Sequence, residues 1–168
     1  QGSNQLNGFF LQDPAGDGNP ATSDGIFVYA PGGTDVNVGD IISITAQVDE
    51  FNTFTELKNV TSLTVQSSGN ALPTPVQVTL PESTDGELEQ YEGMYIQITD
   101  ASNMIVAQNY FLGRYGQLTL AAGQRIYQPT NQELPGSAAA TALAADNAER
   151  ILILDDGQDI NSLGDNPN

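Results

Sequence analysis

The sequence predicts a mainly β protein, and three observations carry that reading. Short apolar stretches alternate with polar residues at a period of two, which sends successive side chains to opposite faces of a strand. Between them stand segments such as "DPAGDGNP" and "GNALPTP", whose glycines, prolines, aspartates and asparagines are turn chemistry. Only one stretch, "PGSAAATALAADNAER", has both the composition and the cap of a helix. Many short strands joined by such turns favour a barrel or a sandwich.

The elements follow in order. Residues 8–12 and 25–30 read as short strands with a hairpin-like connection. "GDIISITAQVDEF" places Ile42, Ile44, Ala46 and Val48 on one face and Ser43, Thr45 and Gln47 on the other. "TELKNVTSLTVQS" follows after "NTF", so the two form a hairpin. "VQVTL" at 76–80 alternates again. The acidic stretch with Glu82, Asp85, Glu87, Glu89 and Glu92 reads as a solvated turn or a short helix. "MYIQIT" predicts a strand with Met94, Ile96 and Ile98 inward, and "MIVAQNYF" (104–111), "QLTL" (117–120) and "RILILDD" (150–156) predict three more. In the helix Ser137 is the cap and seven alanines favour the conformation, while a single leucine limits it to two or three turns. The chain thus divides into a β domain over 1–80, a second β segment over 81–158 that carries the helix, and a polar tail over 159–168.

Composition excludes whole classes of chemistry. The 168 residues contain no cysteine and no histidine. Disulfides, zinc sites built on those residues and Ser-His-Asp or Cys-His catalysis are therefore absent. Four cations against 21 acids give a net charge of −17. Such a chain repels nucleic acid, anionic membranes and its own copies unless salt or divalent cations intervene. No run of about eighteen apolar residues is present, so no membrane partner is expected. The phosphate-cradling G-x-x-x-x-G-K-[ST] and the hydrolase motifs G-x-S-x-G and H-E-x-x-H are missing. The chain is therefore read as not an enzyme.

Two kinds of candidate site remain. The loop 13–24 offers Asp13, Asp17, Asn19 and Asp24 around Gly18. A cation such as Ca2+ needs several hard oxygens around a sharp turn. The spacing is not that of an EF-hand, because Ala15 stands where an oxygen is needed. The alternative is an Asx-rich turn whose carboxylates accept from backbone amides. "LDDGQD" offers Asp155, Asp156 and Asp159 for the same purpose, provided a turn brings them together. The second kind is aromatic. Phe10, Phe27 and Tyr29 alternate along the first hairpin, and Arg114 with Tyr115 and Arg125 with Tyr127 set two of the four cations beside tyrosines. Stacking rings beside cations suit single-stranded nucleic acid. The plain alternative is that the rings fill a core.

The order "NGFFLQDPAGDGNPATSDGIFVY", "VGD", "VDEFNTFTEL", "LEQYEGMYIQI", "NYFLGRYGQLTL", "RIYQPTN" and "ILILDDG" resembles the OB-fold region of secreted bacterial nucleases, over roughly residues 7–158. The resemblance implies an OB-like barrel over 1–80 and extracellular localisation. It also implies an adjacent catalytic domain of the endonuclease/exonuclease/phosphatase type, which would hold the histidines this chain lacks. The family carries a strand before the match to Gly8 and further strands after the matched region. Only seven residues precede Gly8 here, so the expectation is an interior piece of a larger protein with an incomplete barrel. Strands at 9–12 and 41–48 would then keep open edges, which the 94–99 or 104–111 segments fold back to fill or a neighbouring subunit fills by strand donation. The resulting functional expectation is a non-catalytic module that positions nucleic acid, bound weakly or through cations, or its neighbouring domain, with Ca2+ as a stabiliser. The alternative is a structural subunit of an extracellular filament or surface layer that self-assembles by strand pairing.

Overall fold

The computed structural model describes residues 6–32 and 36–155. The chain is mainly β, and among the described residues its sheets are not closed into a barrel. It divides into two compact units, and the division is not serial. One unit takes the chain up to Val76 together with Leu88–Gln97; the other takes Gln77–Glu87 and the chain from Ile98 onward. Residues 156–168, which include Asp156, Asp159 and the polar tail, lie outside the described residues.

In the first unit β1 (Gly8–Gln12), β2 (Gly25–Tyr29), β3 (Ile41–Phe51) and β4 (Phe54–Ser67) form one sheet. Their spatial order is β1-β2-β4-β3. β1 and β2 pair antiparallel with Phe10 opposite Phe27. Gly8 is needed there, because a Cβ would collide with the Phe27 ring and the Val28 carbonyl. Phe27 and Val28 are the buried apolar residues of this sheet. β3 and β4 are joined by Asn52 and Thr53, both at positive φ; this is the two-residue turn whose twist matches that of the strands. The ladder shifts register between Thr45 and Gln47, with Asn59 at φ +51° on the opposite strand. Such a bulge bends and twists its strand. Ile42, Ile44 and Ala46 are half-buried before it, whereas Val48 beyond it is exposed, so the expected apolar face ends at the bulge.

β2 runs parallel to β4 but meets it only at Phe27–Glu56 and Val28–Leu57. Past Leu57 the β3–β4 pair continues as a two-stranded ribbon among the described residues. Among the described residues the sheet order leaves β1 and β3 at the two edges. The expected back-folding of 94–99 or 104–111 onto these edges is not found. β6 (Ile96–Ile98) pairs with β5 (Val76–Val78), and β7 (Met104–Gln108) pairs with β8 (Leu118–Ala122). In β6, Ile96 is exposed and Ile98 half-buried, so the inward face expected of 94–98 is only partly realised. A three-residue strand beside one neighbour has little to bury it against.

The second unit is built on the antiparallel sheet β7-β8-β9, where β9 is Ile151–Leu154. β8 is central, and its Ala121 and Ala122 are buried. The 104–111 segment is strand only to Gln108; α1 (Leu112–Tyr115) follows and closes on Gly116 at φ +69°. The alanine-rich helix is α2 (Ala138–Arg150), 13 residues and so longer than its composition alone suggested. Ser137 caps it by accepting from the Ala140 amide at 3.1 Å. The acidic stretch forms a 3-10 turn over Glu87–Tyr91. The Glu82 amide donates to the Glu149 carbonyl at 3.1 Å, which holds the start of that stretch to the end of α2.

Candidate functional site

In the loop 13–24 the side chains of Asp13, Asp17, Asn19 and Asp24 each accept from a partner within the loop. Asp13 Oδ1 accepts from the Ala15 amide at 2.9 Å, and Asp17 Oδ1 from the Asn19 amide at 2.7 Å. Asn19 Oδ1 accepts from the Ala21 amide at 3.1 Å, and Asp17 Oδ2 from the Thr22 hydroxyl at 3.2 Å. Asp24 Oδ1 accepts from the Asp17 amide at 3.0 Å, and the Asp24 carbonyl from the Asp13 amide at 2.9 Å. The contacts from Asp13, Asp17 and Asn19 to the amide two residues on are Asx turns, which is why these residues make loops. Gly16, at φ +63°, sits so close under Asp24 that a Cβ would lie 2.6 Å from Oδ2. One carboxylate oxygen on Asp13 and one on Asp24 have no hydrogen-bond partner among the described residues. A calcium ion asks for six to eight oxygens, of which backbone carbonyls and waters can supply some. At the other acidic segment, Asp155 accepts from the Gln117 carboxamide at 2.7 Å.

The first hairpin places its rings unequally. Phe27 is 7% exposed and packs with Phe10 at 5.2 Å and Phe54 at 6.1 Å between ring centroids. It is a core residue with no face left for stacking. Phe10, at 57%, and Tyr29 are exposed.

The four cations separate into two kinds. Lys58 pairs with Asp49, and Arg150 with Asp146 at 3.0 Å. Arg114 and Arg125 have no ion pair among the described residues, and each lies over a tyrosine. Arg114 stands 5.0 Å from the centre of the Tyr115 ring, and Arg125 5.6 Å from that of Tyr127. Both pairs are in the second unit. Around the first, Tyr110, Phe111 and Tyr115 form a chain of rings at 5.0 and 5.7 Å, with Tyr110 79% exposed. The "NYFLGRY" sequence brings them together through α1, whose single turn sets Phe111 and Tyr115 four residues apart.

Around the second pair there is a cavity of about 130 Å³ lined by Gln124, Arg125, Tyr127 and Gln132 on one side and by Leu143, Asn147 and Arg150 of α2 on the other. The three helix residues are spaced i, i+4, i+7 and so share one face. Arg150 is 7% exposed, and an arginine that deep needs partners. Its donors go to the Asp146 carboxylate and carbonyl, the Ala122 carbonyl and Asn147 Oδ1. Asn147 in turn donates to the Tyr127 carbonyl at 2.9 Å. Arg150 is thus a positioning residue, which holds Asn147 against the segment that carries Tyr127.

The structure therefore joins Arg114 to Tyr115 and Arg125 to Tyr127, and takes Phe27 into the core. Sequence reasoning missed Gln124, Gln132, Leu143, Asn147 and Arg150. The signal for the last three was their spacing on one face of a helix otherwise built of alanine. No protein-family model, no curated protein and no solved structure matches this chain.

Proposed function

We propose that this chain is a non-catalytic binding module of a secreted nuclease-type protein, and that it holds single-stranded nucleic acid for a neighbouring catalytic domain. The observation that supports the reading is the placement of cations: the two without an ion pair are the two that lie over tyrosines, in one unit. A guanidinium over an aromatic ring keeps its donors for phosphate while the ring offers a face to a base. With a net charge of −17 the module binds weakly, and divalent cations strengthen the contact by screening the carboxylates.

The test is fluorescence anisotropy of a labelled oligo-dT against the purified chain, across a salt series with and without magnesium. Two phosphate contacts predict a slope of about −1.4 for log affinity against log salt, roughly 0.7 per phosphate on a single strand. The double variant Arg114→Ala, Arg125→Ala should abolish binding and leave the oligonucleotide uncut, as the wild type does. No binding under any condition, or cleavage that tracks the chain's own acids, overturns the reading.

A second reading, a structural subunit that assembles by strand pairing, draws on the β3–β4 ribbon. Its β3 edge is open along the whole strand, and its β4 edge is open beyond Leu57, among the described residues. Open edges recruit strands. Light scattering across a calcium and salt series tests it: assembly blocked by Ile44→Pro supports this reading, and a monomer throughout removes it.

A further inference from the structure

The cavity beside Arg125 has a size, a lining and a charge that together select a ligand. We propose that it takes the base of one pyrimidine nucleotide, at the end of a strand or turned out from it, with the phosphate on Arg125. The inference rests on the module reading above and names the ligand of its second cation–tyrosine pair.

Size comes first. Sites for whole drug-sized ligands run to about 300–1,000 Å³, whereas a cavity of about 150 Å³ takes up a single benzene ring. At about 130 Å³ this one is close to the volume that takes up one six-membered ring. The sugar and phosphate must lie outside, where Arg125 is exposed.

The lining comes second. Tyr127 and Leu143 supply apolar surface for the faces of a ring. The side-chain carboxamides of Gln124 and Gln132 have no hydrogen-bond partner among the described residues. Each offers a donor and an acceptor side by side, which matches the alternating donors and acceptors on the pairing edge of a pyrimidine.

Charge comes third. Arg150 has its donors committed to Asp146, Asn147 and Ala122, so Arg125 is the lining cation still able to fork onto a phosphate.

The experiment compares labelled dT10 and dA10 by anisotropy at fixed salt with the wild type, Arg125→Ala and the double variant Gln124→Ala, Gln132→Ala. All three positions are exposed, so folding is not at stake. The expected result is a preference for dT10 of roughly tenfold, the size of one good amide–base pairing. Arg125→Ala should weaken both oligonucleotides alike and reduce the salt slope by about 0.7. The glutamine variant should abolish the preference and leave the salt slope unchanged. Equal affinities, or a preference for dA10, overturn the pyrimidine assignment and leave the module reading standing. No binding of either oligonucleotide overturns both.

Discussion

The loop 13–24 and the cavity beside Arg125 differ in what their polar groups have left to do. The loop is rich in the residues that bind metals, and its carboxylates are engaged with its own amides. The cavity is lined by less conspicuous residues, yet it holds an arginine without an ion pair and two glutamine side chains without partners among the described residues. Residue type announces what a group can do, and hydrogen bonding decides whether the group remains available. In the cavity the structural task falls to a second set of residues, Arg150 and Asn147, and that division leaves Arg125 free to act.

The largest expected effect separates the two arginines. Arg150→Ala removes an ion pair and leaves Asn147 Oδ1 unsatisfied in a buried place, and should cost about 2 kcal/mol in denaturant unfolding. Arg125→Ala should change stability by no more than about 0.5 kcal/mol, as at an exposed site. Equal losses would show that Arg125 is also structural and would erase the contrast.

A smaller effect is expected in the loop. Asp17→Ala removes two acceptor contacts, to the Asn19 amide and the Thr22 hydroxyl, and should cost about 1 kcal/mol. The cost should be the same with and without millimolar calcium. A melting temperature that rises with calcium in the wild type and not in Asp17→Ala would make the loop a metal site and break the comparison from the other side.

The smallest effect concerns pH. Partial burial raises the Glu149 carboxyl above its ordinary value of 4.5, and the charges of Glu82, Asp85, Glu87 and Asp146 raise it further. A raised acid favours the folded state when protonated. Its contribution is complete below the unfolded value and is lost as pH rises through the folded one. Mild acidification from neutral should therefore stabilise the second unit, and Glu149→Gln should flatten that part of the profile. An unchanged profile in the variant would show that these carboxylates do not press on one another.

Much of the fold was legible. The period-two alternation located β3 and β4, and Ser137 before a run of alanines located α2. The site was legible only in part. Arg-Tyr adjacency marked both cation–ring pairs, because neighbours in sequence cannot be far apart in space. Gln124 and Gln132 carry no such mark, since an exposed glutamine looks the same whether it lines a cavity or faces open water.

Local chemistry determined what the sequence could say by itself: strand periodicity, the turn-forming acids of 13–24, the helix cap, and a charge that leaves few cations to place. Those properties depend on residues a few positions apart. Tertiary structure alone decided the rest. It returned Leu88–Gln97 to the first unit, put β2 parallel to β4, buried Phe27 between Phe10 and Phe54, and set α2 against the 124–132 segment. Each of these is a contact between residues distant in the chain, governed by which apolar surfaces and unpaired donors find one another on folding, and no local pattern encodes that meeting.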